Sequence, residues 1–385
     1  MFILWRLIFS IISTSSWGRA LVWSLIAAAF IGPGTVTTAT RAGAGGGYGY
    51  LLIVALAAVA GYVFMEMAAR ITIVSGHSLG HHLRRRGRYL PVLTFAAVAF
   101  GCAAYQAGNL VGALGGLQLL LPHASRAWLL PLAGAVVALL WSGSTRRVAR
   151  ALAYLVAAMG LLFVVAAVRI AAGADLGEVA LPAESSLILG LIGTTIVPYN
   201  FFLAAGLGSE SSLEDMRRGL GLSFGVGSLI TAAILVVGTA AVGFLSFSDL
   251  ALTVDGVLGS YGTLVLAVGL FAAGFSSAAT APLAAAIAAR ELLDHKLGNT
   301  HFRAVWLSVL LTGLTVGFFD LDIIGVILAA QVINGLLLPF IAAVVLYLAN
   351  RRELLGERVN SRWQNGAGAL VLAFLVYKTL QFLVT

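Results

Sequence analysis

Two short stretches of this sequence hold the polar groups best placed for chemistry. "GPGTVTTATRAG" (32–43) carries hydroxyls at Thr35, Thr37 and Thr38, with Gly32 and Gly34 flanking Pro33. "TTIVPYN" (194–200) carries hydroxyls at Thr194 and Thr195, the phenol of Tyr199 and the amide of Asn200, around Pro198. Each lies inside an apolar run, and neither contains Asp, Glu, His or Cys. Hard cations want carboxylates, and soft transition metals want sulfur or imidazole. Tight binding of bare Mn²⁺ or Fe²⁺ is therefore not expected here. A hydrated Mg²⁺ could be held through its waters, because Mg²⁺ sheds its shell reluctantly. The glycines and prolines also break a helix. A half-helix starting near Gly34 points unpaired N–H groups and a positive dipole end into the break, which favours an anion or a substrate carboxylate. Glycine lets such a ligand approach the backbone closely.

The remaining ionisable groups are few. Arg41 lies two helical turns past the first break; it reads as an interfacial arginine that snorkels outward or as a substrate contact. Glu66 is the acidic residue well inside an apolar span, and Arg70 four residues on reads as its intrahelical partner. Otherwise Glu66 is the leading proton or cation group, so Arg41 and Glu66 are the candidates for a gating or charge role. His77 and His81 have helical metal spacing, but with His82 they sit in a basic loop and read as a solvated polar face. The one cysteine, Cys102, reads as a small buried hydrophobe and excludes an intrachain disulfide. No nucleophile–base pair or metal-ligand cluster appears at membrane depth, so an enzyme is not expected, nor a cofactor.

The elements that must position these groups follow from composition. Of 385 residues, 60% are hydrophobic and 10% charged, with mean hydropathy +1.01. Soluble domains carry about 25% charge, so the chain reads as an integral membrane protein whose first partner is the lipid bilayer. Long apolar runs without two-residue alternation predict helices rather than a barrel. The 45 glycines suit close helix packing in lipid. Eleven spans are predicted: 19–45, 48–75, 91–121, 128–142, 148–173, 186–208, 219–246, 262–289, 303–319, 322–349 and 364–384. Basic loops ("HHLRRRGR", "STRRVAR", "EDMRRG", "RELLDHK", "NRRELLGER") alternate with acidic ones ("GADLGE", "SDLALTVDG", "FDLD"). Positive loops stay inside, which predicts a plasma (inner) membrane protein with a cytoplasmic N-terminus and an external C-terminus. The net charge of +8 reflects this placement, not nucleic acid. The opening "MFILWRLIFSIIS" lacks the basic start and cleavage site of a signal peptide and reads as an interfacial helix or an upstream-extended start.

The breaks fall in spans 1 and 6, each the first of five if the core is two repeats. Matched broken helices are the best sequence pointer to a transporter's substrate site, because unwound backbone at bilayer depth must be buried in protein or line a wet cavity. The predicted organisation is an apolar segment 1–18, a first repeat 19–173, a linker 174–185, a second repeat 186–349, a loop 350–363 and a last helix 364–385.

These residues resemble the Nramp family of proton-coupled divalent metal transporters. "GPGTVTTATRAGAGGGYGYLL" parallels the family's first broken helix, whose hallmark is Asp-Pro-Gly-Asn. "MEMAARITIVSGHSLGHHL" (65–83), "TTIVPYNFFLAAGL" (194–207), "GLFAAGFSSAAT" (269–280), "AAQVINGLLLPF" (329–340) and "ELLGE" (353–357) follow in the family's order. The resemblance implies an all-α, LeuT-type fold: two inverted repeats of five transmembrane helices plus an eleventh helix, with helices 1 and 6 broken. It also implies a substrate site at Gly32, Gly34, Thr35, Thr194, Val197, Tyr199, Asn200 and Gln331. Here the chain departs from the family. The metal-binding Asp falls on Gly32, its Asn on Thr35, the sulfur-bearing Met on Val197 and an Ala that offers a carbonyl on Thr194. The two histidines of helix 6 fall on Tyr199 and Ala204. Gln106 and Asn109 stand where an Asp and a Glu serve proton movement. Gln331 alone matches a residue that approaches the metal.

Three readings follow. The chain moves a divalent ion, hydrated and without proton coupling. Or it moves a small neutral or anionic solute held by the amides around Gly32–Thr35. Or it is a transport-dead sensor, which the absence of an attached signalling domain disfavours.

Overall fold

The computed structural model describes residues 31–142, 145–173, 181–202, 212–241, 243–259, 261–293, 297–319 and 321–384. The first eighteen residues, the first half of span 1 and Ala204 lie outside them. Among the described residues the chain is helical: α1 Pro33–Gly46, α2 Leu51–Ser75, α3 Leu79–Arg84, α4 Tyr89–Leu120, α5 Leu129–Ser142, α6 Thr145–Ala172 and α7 Ser185–Thr195. Then come α8 Leu213–Thr239, α9 Phe247–Leu258, α10 Tyr261–Leu292, α11 Asn299–Phe318, α12 Ile323–Ala349, α13 Arg352–Leu355 and α14 Arg362–Val384. Nine helical stretches in these residues are long and apolar enough to cross a membrane, one of them running through α1 and α2; α5 is a shorter apolar helix.

Several segments read as loops are helical in whole or in part, among them "STRRVAR" at the start of α6, and two are set by caps. "EDMRRG" forms the start of α8, because Ser212 caps it: its Oγ accepts from the Asp215 N–H at 3.1 Å, and Glu214 and Asp215 complement the helix dipole. "SDLALTVDG" lies in α9, which opens with a reciprocal cap between Ser246 and Asp249. Its charges are too few to keep it unfolded once Phe247, Leu250, Ala251 and Val254 are buried.

The central helices approach closely through small residues. A Cβ on Gly238 of α8 would lie 2.4 Å from the Thr40 carbonyl of α1, and one on Gly193 of α7 would lie 2.1 Å from the Gln331 carbonyl of α12. Only glycine permits those crossings, and they bring α1, α7, α8 and α12 together around the two breaks. α14 stands at the periphery with only Gly368 and Leu375 buried.

The basic segments gather at one end. Arg86, beyond α3, pairs with Glu353 of α13, and its guanidinium lies 5.4 Å from the Tyr347 ring centroid. Gly80 of α3 packs on the Glu291 backbone at the end of α10. The opposite end is tied by the Tyr50 hydroxyl, which accepts from the Glu184 N–H at 3.2 Å, and by Arg126 Nη1, which donates to the Gly317 carbonyl at 2.6 Å.

Candidate functional site

The described backbone shows the helix start that follows the first break and the whole of the second break. Gly32 is extended (φ −133°, ψ −173°), and α1 begins at Pro33, which spares an N–H at the first helical position. α7 stops at Thr195; Ile196 leaves helical geometry (φ −115°, ψ 77°), and helix resumes at Asn200. Pro198 explains the stop, since its ring clashes with a helical carbonyl and its nitrogen has no proton to donate.

The breaks meet through side chains. Thr35 Oγ1 and Thr194 Oγ1 are 2.9 Å apart and fully buried. Gln331 of α12 lies against the first turn of α1: a Cβ on Gly34 would fall 2.1 Å from its Nε2. A Cβ on Gly32 would fall 3.2 Å from Ser277 Oγ of α10 and 3.5 Å from the Tyr105 hydroxyl of α4. Tyr105 and Tyr199 are fully buried and meet edge to face at 6.0 Å. Val197 is buried in the second break, and Asn200 beyond it is buried with neither amide atom hydrogen-bonded among the described residues. The side-chain oxygens of Thr37, Thr38, Ser277 and Gln331 (Oε1) are likewise buried without a partner among the described residues. Buried polar groups are normally paired, so this concentration of orphans marks the centre as a place for ligand or water. Its groups are neutral. No set of three His, Cys, Asp or Glu side chains among the described residues is placed to hold a metal ion.

The other predicted residues take structural places. Gln106 donates from Nε2 to the Ala278 carbonyl at 3.0 Å; Asn109 is buried one turn on with its Nδ2 unpaired. Arg41 donates to the Phe244 carbonyl at 3.1 Å and is thereby tied to the chain entering α9. Glu66 pairs with Arg70 at 3.1 Å, as its spacing predicts, and also with Arg217 of α8 at 2.9 Å. Arg70 reaches further, to the Arg358 carbonyl and Asn360 Oδ1, both at 2.5 Å. The histidines are not one solvated face: His82 is buried, its Nε2 2.7 Å from Ser75 Oγ, because α3 folds back onto the end of α2. Tyr105, Ser277 and Asn334 were not singled out from sequence. Helical spacing could have found Asn334, three residues past Gln331 on one face.

Paired breaks at the centre of an all-α membrane bundle, lined by polar side chains from three other elements, define the LeuT-type fold, with two inverted five-helix repeats followed by α14. The chain aligns with crystal structures of the Eremococcus coleocola manganese transporter at TM-score 0.77–0.78 and 20% identity, over 95% of this chain and 87% of that one. It aligns with Mhp1, a nucleobase-cation-symport-1 family transporter, at TM-score 0.59 and 15% identity, over 94% and 92%.

The chain belongs to the Nramp family: the description "natural resistance-associated macrophage protein-like" matches residues 24–385. Among similar proteins, the divalent metal cation transporter MntH of Pectobacterium carotovorum is 25% identical, with 97% of each chain covered. MntH 1 of Pseudomonas aeruginosa is 25% identical over 88% of this chain and 85% of its own.

Proposed function

We propose that this protein is a membrane transporter working by alternating access around the site between the two breaks. Its cargo is a divalent cation that keeps its hydration shell, Mg²⁺ foremost, moved without proton coupling and with the arginine-rich end in the cytoplasm. The observation that carries this reading is the Thr35–Thr194 hydroxyl pair at 2.9 Å, flanked by the Gln331 amide, where no group of three His, Cys, Asp or Glu side chains among the described residues is placed to hold a bare ion. Neutral oxygens cannot replace the waters of a bare divalent ion, but they accept hydrogen bonds from waters the ion retains. The names of the relatives supply the cargo class. Amides at Gln106 and Asn109 hydrogen-bond and do not titrate, and Glu66 is held by two arginines. Positive-inside placement supports the orientation.

Uptake into proteoliposomes tests it. Mg²⁺ should enter, and an imposed pH gradient should not change the rate. Mn²⁺ uptake driven by an inward proton gradient would sink the reading.

One observation favours a second reading, a small neutral or anionic solute. The buried start of α1 has no acid in its first turn to balance the helix dipole. In that case Mg²⁺ is inert, and a carboxylate or inorganic anion protects the protein against heat.

A further inference from the structure

Asn334 lies on α12 one turn beyond Gln331, toward the arginine-rich end. Its side chain is fully buried, and neither Oδ1 nor Nδ2 has a hydrogen-bond partner among the described residues. It faces α4 at Gly101, where a Cβ would lie 2.9 Å from Asn334 Oδ1. The antiparallel register of α4 and α12 also sets Gly108 against Ile327, at 3.5 Å from such a Cβ to the Ile327 Cα. Tyr105, one turn from Gly101 on the same face of α4, reaches the first break and the Tyr199 ring. Asn334 therefore lies one turn from the level of Gln331 and the Thr35–Thr194 centre, on the side of the arginine-rich end.

A buried amide without a partner destabilises a fold, whereas an apolar side chain of similar size would not. Gln331 Oε1 is a second such acceptor, three residues away on the same helical face. Two neutral acceptors one turn apart suit a ligand that presents several donors. A hydrated cation does so, because the ion turns the protons of its waters outward.

We propose that Asn334, with Gln331, forms a second polar subsite one turn from the centre, which accepts hydrogen bonds from the water shell of a divalent cation on its way to or from the arginine-rich end. This rests on the hydrated-cation reading above. Gly101 leaves the room in which the amide lies.

The test is the concentration dependence of Mg²⁺ uptake by the full chain in proteoliposomes, with thermal stability measured alongside. Asn334→Leu should raise KM for Mg²⁺ about tenfold, the worth of one hydrogen bond to a charged group, without lowering Tm. Gly101→Ala, whose methyl group crowds Oδ1, should act in the same direction. Asn334→Asp should lower KM, a gain that misfolding cannot imitate. An unchanged KM in Asn334→Leu, with or without a lower Tm, overturns the subsite and leaves Asn334 a structural residue. Absence of Mg²⁺ uptake by the unmodified protein, with a heat-protecting anion found instead, overturns the proposed cargo and the subsite's ligand together.

Discussion

The hydroxyls of Thr35 and Thr194 meet at 2.9 Å, and that one bond joins the two breaks. Thr35 sits in the first turn of α1, and Thr194 in the last turn of α7. The pair thus locks two helix ends that no backbone hydrogen bond among the described residues joins. Cargo that reaches the centre must either bridge the two hydroxyls or part them.

Thr194→Val keeps the shape and removes the bond. It should cost about 1 kcal/mol of stability and weaken cargo binding. Thermal unfolding with and without Mg²⁺ reads both, and a variant with full protection by Mg²⁺ would place the cargo elsewhere.

The Gln331 amide occupies the space that a side chain on Gly34 would fill. Gly34→Ala should push it away and reduce uptake at least tenfold while the protein still folds. Gln331→Ala in the same chain relieves the clash, so the double variant should be less impaired than the sum of the two. Strict additivity in that double-mutant cycle would refute the contact.

A carboxylate at position 32 fits with little movement, since its Cβ would lie 3.2 Å from Ser277 Oγ and 3.5 Å from the Tyr105 hydroxyl. Gly32→Asp should confer Mn²⁺ uptake that the unmodified protein lacks, because a charged oxygen then compensates for waters the ion loses. Equal Mn²⁺ transport by both proteins would show that the neutral site already suffices.

Glu66 holds Arg70 and Arg217, and Arg70 in turn holds the segment before α14. Glu66→Ala leaves buried Arg70 without its counter-charge and should cost about 3 kcal/mol or more. Arg217 is half exposed, so Arg217→Ala should cost under about 1 kcal/mol. Denaturation of the two variants gives the ranking, and the reverse order would mean that Arg217 carries the network.

His82 gives the stability a pH dependence. Its burial, with His81, His77, Arg86 and Arg85 nearby, pushes its pKa down to about 4 from 6.5. Between those values the unfolded chain binds a proton that the folded one refuses, so stability falls as pH drops from 6.5 toward 4. His82→Gln should flatten that part of the Tm–pH curve; an unaltered slope would assign the dependence to other groups.

Much of this molecule follows from local sequence. Apolar length sets the helices, because lipid allows no unpaired backbone. Gly32-Pro33-Gly34 and Pro198 set the breaks, because those residues cannot continue a helix. The scarcity of charge at both breaks is plain from the residues themselves, as is the Glu66–Arg70 pair from its spacing. The caps at Ser212 and Ser246 were also local, yet acidic composition masked them. Other relationships join residues far apart in the chain, and no local pattern encodes them. Thr35 meets Thr194 across 159 positions, and Arg217 meets Glu66 across 151. Gln331 lies on Gly34, Arg41 is tied to Phe244, and Asn334 is sealed against Gly101 only because glycine crossings let α1, α4, α7 and α12 close together. Periodicity shows which face of a helix is polar; the packing of another helix against that face decides which of its polar atoms are left without a partner.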